Sequence, residues 1–329
     1  WLCDMSENFR WGIIGTGGIA RAFAKDLTFT SGHEVSAVGS RFLDKAVDFS
    51  KEHGGSAYGS YEELVASDVD AIYIATPHPM HEPNTLLALS AGKAVLCEKP
   101  FAVNAAQSAR MIALAKQKEL LLVEAMWSRF LPHYRLIRQL IAGGELGEII
   151  SISADHGQFL PLPKHYRLHA PELAGGALLD LGVYPISLAH FILGKPSEIQ
   201  VTAELTGTGV DGHCSIFFDY PSGAVANLSC TMLVKTPCVA EIIGSKARIE
   251  IDSTFYNPAS MRLIKTSGEV IEYPRNYEGH GLREQAIEFA RLYRAGAKES
   301  DLITHQDSQE IMEIMDQIRS EIGVKYPFE

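Results

Sequence analysis

Long apolar runs, basic clusters and paired cysteines are all scarce in this chain of 329 residues. No apolar run approaches the about 18 residues that a membrane-spanning helix needs, so a membrane role is not expected. Residues 1–8 lack a basic region followed by an apolar one, so export is not expected either. A net charge of −11 leaves no basic face to release counterions from nucleic acid or to meet anionic lipid, which argues against both as partners. The five cysteines, Cys3, Cys97, Cys214, Cys230 and Cys238, are odd in number, scattered and without C-x-x-C spacing. They fit reduced thiols in a cytoplasmic protein, not a zinc site or a disulfide framework. There is no internal repeat. The balance of 46% apolar and 21% charged residues is that of a globular protein, long enough for two domains at roughly 150 residues each.

The first 125 residues alternate strand-like and helix-like runs. Residues 10–14 read as a strand and lead into Gly15-Thr16-Gly17-Gly18-Ile19-Ala20, a G-x-G-x-x-A fingerprint. Gly15 permits the tight turn, Gly17 lets the backbone approach a pyrophosphate, and Ala20 lets the next helix pack close to the strand. That helix offers free N–H groups and a positive dipole end to phosphates. A second strand over 34–39 supplies the context a lone fingerprint lacks. It ends at Ser40-Arg41, where an NAD site usually carries an acidic residue for the ribose hydroxyl. The planar fork of arginine suits a 2′-phosphate and Ser40 can donate a further hydrogen bond, so NADP is expected over NAD. The plainer alternative is an exposed arginine opening a helix over 43–53.

A strand over 71–75 ends in Thr76-Pro77-His78-Pro79-Met80-His81. Two prolines should hold this loop extended. With no third ligand evident, His78 and His81 suit a wall for the nicotinamide ribose or the substrate better than a metal site. Residues 94–98 form another buried strand, which runs into Glu98-Lys99-Pro100. Ligands bind at the carboxyl edge of such a sheet, so a lysine fixed there by a proline is placed for chemistry; the bland reading is a surface ion pair. Helices are expected over 61–67, 82–91 and 105–118 and a last strand over 120–124. The fold class is an α/β Rossmann domain with a parallel, doubly wound sheet over residues 1–125.

From about residue 149 the strands follow one another, which predicts an α+β domain over 126–329 with a large, mostly antiparallel open sheet. Its strands are expected over 149–156, 199–205, 213–220, 224–232, 239–243, 248–251, 261–265 and 270–273, with structural helices over 282–294 and 306–322. Ile216, Phe218, Leu228 and Cys230 alternate with Ser215, Phe217, Asn227 and Ser229. This predicts helices on one face and a partner sheet across a two-fold axis on the other, so that a charge at Phe218 or Leu228 should disturb the dimer or the fold. Gly175-Gly176 precedes a helix over 177–193 in which Asp180 and Tyr184, four apart, share a face. A polar pair in an otherwise apolar helix suggests a pocket wall; His190, near the same face, reads as a satisfied core histidine. Trp127 and Arg129 should face the cleft, with Trp127 either an apolar plate for a ring or a packed hinge. His156, Phe159 and Tyr277 are candidates for substrate contact.

Together, Gly15 to Ala20, Ser40-Arg41, Ala75-Thr76-Pro77 with His81, and Cys97-Glu98-Lys99-Pro100 resemble the Gfo/Idh/MocA oxidoreductases. The resemblance continues through 124–130 and 175–184, within the branch of dimeric dihydrodiol dehydrogenases and NADP-linked D-xylose 1-dehydrogenases. It implies Lys99, Asp180 and Tyr184 as the catalytic group. It implies a cofactor site from Gly15, Thr16, Gly17, Gly18, Ile19, Ser40, Arg41, Thr76, Pro77, His81, Glu98, Lys99, Trp127 and Arg129. Substrate contacts would come from Trp127, His156, Phe159, Tyr184 and Tyr277. The substrate implied is a cyclic polyol or sugar: an aldose such as D-xylose, oxidised at C1, or a trans-dihydrodiol. Chemistry agrees, because a phenol ionises near pH ~10 and needs a neighbouring ammonium to serve as a base at neutral pH. Lys99 would be that ammonium; Asp180 would hold it or bind an adjacent substrate hydroxyl. A short-chain dehydrogenase would carry lysine four after its tyrosine, as no tyrosine here does. Cys97 sits in an apolar strand, where a thiolate is disfavoured. A non-catalytic NADP sensor on the same fold is the remaining alternative.

Overall fold

The computed structural model describes residues 8–329; Cys3 and nearly all of the stretch read for a leader lie outside the described residues. Two compact units emerge. One runs to Trp127 and resumes over Glu278–Ser308; the other comprises Ser128–Tyr277 and Gln309–Glu329. A single cut near residue 125 therefore misplaces 278–308, whose amphipathic pattern does not say which sheet it covers.

The first unit holds β1 (Phe9–Ile14), α1 (Gly18–Leu27), β2 (His33–Gly39), α2 (Leu43–His53), β3 (Ser56–Tyr58), α3 (Tyr61–Val65), β4 (Ala71–Ile74), α4 (His81–Ser90), β5 (Ala94–Glu98), α5 (Ala105–Lys118) and β6 (Leu122–Ala125). The strands pair in parallel in the order β3-β2-β1-β4-β5-β6, the doubly wound arrangement. The edge strand β3 is three residues long and follows two glycines, too short to show a pattern in sequence. Ser60 and Asn104 start α3 and α5 by accepting from the amides of Glu63 at 3.2 Å and Gln107 at 3.0 Å. The loop after β4 is not extended: His78–Met80 forms a 3₁₀ turn, closed by the Met80 amide on the Pro77 carbonyl, that feeds straight into α4. Pro79 sits inside the turn, where its fixed φ helps.

The second unit begins with α6 (Pro132–Ala142), which the sequence reading passed over although Pro132 stands at a favoured first helical position. It continues through β7 (Ile149–Gly157), α7 (Tyr166–His169), a π turn (Leu178–Gly182), α8 (Val183–Leu193), β8 (Glu198–Leu205), β9 (Asp211–Asp219), β10 (Val225–Thr231), β11 (Ala240–Gly244), β12 (Ala247–Ile251), β13 (Met261–Lys265) and β14 (Val270–Tyr273). All eight expected strands are there, in the order β14-β13-β12-β11-β7-β10-β9-β8, with only β7 and β10 parallel. Ile216, Phe218, Leu228 and Cys230 are buried, on the face where the π turn and α8 pack on β10. Ser215, Phe217, Asn227 and Ser229 line the opposite face with Ser153, Glu241 and Arg262. A charge at Phe218 or Leu228 would thus act on the core, not on that outer face.

Two features of the helical run differ from expectation. Pro171–Leu193 is apolar enough by composition to cross a membrane, yet 78% of its most apolar window is buried within the fold. It is also not one regular helix, because Pro185 has no N–H for the Leu181 carbonyl and the i→i−4 ladder cannot run through. Gly182 keeps a helical backbone, but a Cβ there would lie 2.9 Å from Cys230 Sγ, so glycine permits this close approach to β10. The chain ends in α9 (Arg283–Arg294) and α10 (His305–Ile322). Phe289 of α9 covers Phe9 and Trp11 of β1, with ring centroids 6.2 and 5.3 Å away.

Candidate active site

The carboxyl edge of the parallel sheet gathers most of the predicted cofactor residues. Gly15 has φ of 107° and a Cβ there would lie 2.6 Å from the Ala75 carbonyl oxygen, so only glycine turns β1 into α1 beside β4. Among the described residues, a Cβ on Gly17 or Gly18 would meet nothing within 4 Å, and no side chain caps α1. The start of this helix, at Thr16 to Ile19, thus presents amides to open space. Ser40 is buried and its Oγ accepts from the Phe42 amide at 3.3 Å. Arg41 is exposed beside Tyr61, whose phenol is pushed up by burial against the pull of that guanidinium.

Thr76 Oγ1 accepts from Asn84 Nδ2 at 3.1 Å, next to Pro77. His81 is buried, with Nδ1 2.8 Å from the Pro100 carbonyl and Nε2 2.9 Å from the Thr76 carbonyl. Burial, with His78 beside it, pushes its pKa down to about 3. The ring lies buried between the loop after β4 and the lysine segment, each nitrogen facing a backbone carbonyl. Glu98 is likewise turned inward. It accepts from the Tyr73 hydroxyl and from the Lys99 amide at 3.2 Å, and burial raises its pKa to about 7. Lys99 emerges half-buried at the end of β5. Trp127 takes the packed position, 2% exposed, its ring 5.2 Å from His280.

The second unit places its polar residues around the break in the helical run. Tyr184 is 6% exposed and stacks on Tyr256 with centroids 4.3 Å apart. His156 packs edge-on to Tyr184 at 5.3 Å. Its Nδ1 lies 3.1 Å from the Leu181 carbonyl, the one Pro185 leaves without a helical donor. That carbonyl requires the proton on Nδ1, so Nε2 accepts from Gln158 Nε2 at 3.0 Å, and the same amide reaches the Tyr256 hydroxyl at 3.4 Å. With both nitrogens engaged, the imidazole orients the aromatic cluster. Asp180 sits in the π turn, its side chain 14% exposed, and accepts from Arg167 Nη2 at 3.1 Å.

Arg129 is buried against α8. Nε and Nη2 donate to Ser187 Oγ and Ser187 O, both at 3.0 Å, and Nη2 lies 3.4 Å from His190 Nδ1. His190 Nε2 in turn meets Glu310 at 2.8 Å. Phe159 is 65% exposed in the loop after β7, and Tyr277 is half-buried in the run after β14. Within this unit His156 packs against Tyr184, while Asp180 lies in the π turn just ahead of it. Gln158, Arg167 and Tyr256 were missed. Gln158 follows His156 by two along the same strand direction, a signal that was readable; Tyr256 and Arg167 lie in irregular segments with none.

Residues 9–125 match the family model of an oxidoreductase with an NAD-binding Rossmann fold, and residues 134–250 match the GFO/IDH/MocA C-terminal domain. The chain is 38% identical to the D-xylose 1-dehydrogenase (NADP(+)) of Hypocrea jecorina, over 97% of this chain and 93% of that one. It is 36% identical to the trans-1,2-dihydrobenzene-1,2-diol dehydrogenase of Mus musculus, over 97% and 98%. Among solved structures, the aldose-aldose oxidoreductase from Caulobacter crescentus, complexed with glycerol, aligns with a TM-score of 0.87 at 25% identity, covering 96% of this chain and 98% of that one. A 3-ketoreductase from Actinomadura kijaniata, in complex with NADP and TDP-benzene, aligns at 0.82 and 28% identity, covering 95% and 98%.

Proposed function

The chain belongs to the GFO/IDH/MocA oxidoreductase family, and from that premise we propose that it is an NADP-dependent dehydrogenase of a cyclic polyol or sugar, with Tyr184 as general base assisted by Lys99. The substrate is an aldose such as D-xylose, oxidised at C1, or a trans-dihydrodiol. The observation that carries the reading is the setting of Tyr184. Its ring is held by a stack on Tyr256, while the nearby histidine that could replace it as base has both nitrogens engaged.

The sheet edge fits a dinucleotide: the turn at Gly15 admits no side chain and the start of α1 is open and uncapped. Gly15, Gly17 and the first amides of α1 would hold the pyrophosphate, and Ser40 and Arg41 the 2′-phosphate. When bound, NADP supplies the hydride acceptor. Tyr184 takes the hydroxyl proton, and the Lys99 ammonium favours its phenolate. Asp180, held by Arg167, orients a neighbouring hydroxyl. The test is turnover of D-xylose and of trans-dihydrodiols with NADP and with NAD. Tyr184→Phe keeps the ring and should lower turnover by about two to four orders of magnitude with NADP affinity nearly intact. Turnover within a few-fold of the parent would sink the assignment; equal efficiency with NAD would remove the phosphate role of Arg41.

The chain would pair as a homodimer through the outer face of the eight-stranded sheet around Phe217 and Asn227. Sedimentation at the mass of a single chain at micromolar concentration would rule this out.

A further inference from the structure

The helical run that carries Asp180 and Tyr184 begins without a cap of its own. Ala177 precedes it, is itself helical and has no side-chain group to accept from the first amides. The acceptor comes from 33 residues further along the chain: Asp211, at the start of β9 and fully buried, accepts from the Leu178 amide at 2.6 Å through Oδ2. Its charge also meets the positive end of the helix. Burial raises its pKa to about 6, so it remains an acceptor at neutral pH.

The Gly175-Gly176 entry makes room for this carboxylate. Gly176 has φ of 120°, and any Cβ on it would overlap Asp211 Oδ1; a Cβ on Gly175 would lie 2.6 Å from the Leu168 carbonyl. From a different part of the chain, the Tyr326 hydroxyl donates to the Gly175 carbonyl at 2.8 Å. Tyr326 is buried and itself held. The Arg319 guanidinium lies 4.8 Å from its ring, and Glu329 accepts from Arg319 at 2.8 and 2.9 Å and from the Tyr326 amide at 3.1 Å. Both grips therefore converge on the few residues ahead of Asp180, whereas the body of α8 is held separately, by apolar packing and by Arg129 and Glu310 at Ser187 and His190.

We propose that Asp211 and Tyr326 are positioning residues that clamp the Gly175-Gly176 entry and thereby set the π turn that presents Asp180 and Tyr184. The clamp rests on the reading that those two residues serve the proton chemistry. Releasing either grip leaves α8 folded but lets its first turn shift, and small misplacements at a reacting centre cost rate more than binding.

The test compares Tyr326→Phe, Asp211→Ala, Asp211→Asn and Tyr184→Phe in the full chain by kcat, KM, NADP affinity and amide hydrogen exchange. Tyr326→Phe and Asp211→Ala should each lower kcat by about tenfold or more while KM and NADP affinity stay within about twofold. Asp211→Asn keeps an oxygen for the Leu178 amide and should recover most of the loss. Exchange should quicken over 177–182 and not over 186–193. Unchanged kcat in both variants, equal loss in Asp211→Asn and Asp211→Ala, or exchange quickened along all of α8 would each overturn the clamp. Should Asp211→Ala fail to fold, Tyr326→Phe decides the matter alone. An active Tyr184→Phe would instead sink the functional reading, with the exchange data still deciding the clamp.

Discussion

Lys99 and Tyr184 sit in settings built by opposite means. Lys99 ends a buried parallel strand, and what surrounds it comes from neighbouring strand ends: Glu98 beside it, Tyr73 on the adjacent strand, His81 bridging to Pro100. Tyr184 stands at a break in a helix, and its supports come from far along the chain: His156 on β7, Gln158 just after it, Tyr256 in a loop. A residue at a sheet edge is placed by topology, so a short motif announces it. A residue at a broken helix is placed by partners that no local pattern reveals.

The sharpest way to break this comparison is to ask whether the two settings act as a unit. Lys99→Met should lower turnover by about two to four orders of magnitude, and adding Tyr184→Phe should cost little more, because residues acting as a unit are not additive. A double variant in which the losses multiply would mean that they act independently.

Glycines sharpen it next. Gly17→Ser meets open space and should leave stability within about 0.5 kcal/mol of the parent while weakening NADP binding. Gly182→Val must push Cys230 aside and should cost about 1–3 kcal/mol in unfolding experiments while leaving NADP affinity unchanged. The reverse pattern would show that Gly182, not Gly17, faces the cofactor.

A further effect is in pH. Glu98, with its pKa raised by burial to about 7, contributes stability that is fully present below its unfolded pKa and is lost as pH rises through 7. Relative to Glu98→Gln, the parent should therefore gain stability between pH 8 and 5, by at most about 1.4 kcal/mol per pH unit. Urea unfolding at both pH values checks the sign; a parent that loses ground on acidification would show Glu98 ionised and paired in the fold.

Legibility followed the same divide. Apart from β3, the Rossmann strands and β7 to β14 were readable because apolar runs and alternation report burial directly, and Gly15 and Lys99 could be placed at strand ends because they sit in dense motifs. His81 and Glu98 were located, but their inward engagement depends on carbonyls and a tyrosine hydroxyl supplied by other segments. The π turn was not anticipated, although Pro185 was in plain view, since its effect falls on a carbonyl four residues earlier. The return of 278–308 to the first unit had no local signal.

That return bears on how the protein is made. Asp26 at the end of α1 is buried and accepts from the amides of His280 at 2.7 Å and of Gly281 and Arg283 at 2.9 Å. Phe9 and Trp11 lie under Phe289. A ribosome that has released only the first half of the chain has thus produced a nucleotide-binding sheet with an uncovered aromatic patch and an unanswered buried carboxylate. Its completion waits for residues 278–308, which are translated after residues 128–277 of the second unit. The nascent chain must keep that patch from other molecules while residues 128–277 are synthesised, so the first unit closes only after most of the second has left the ribosome.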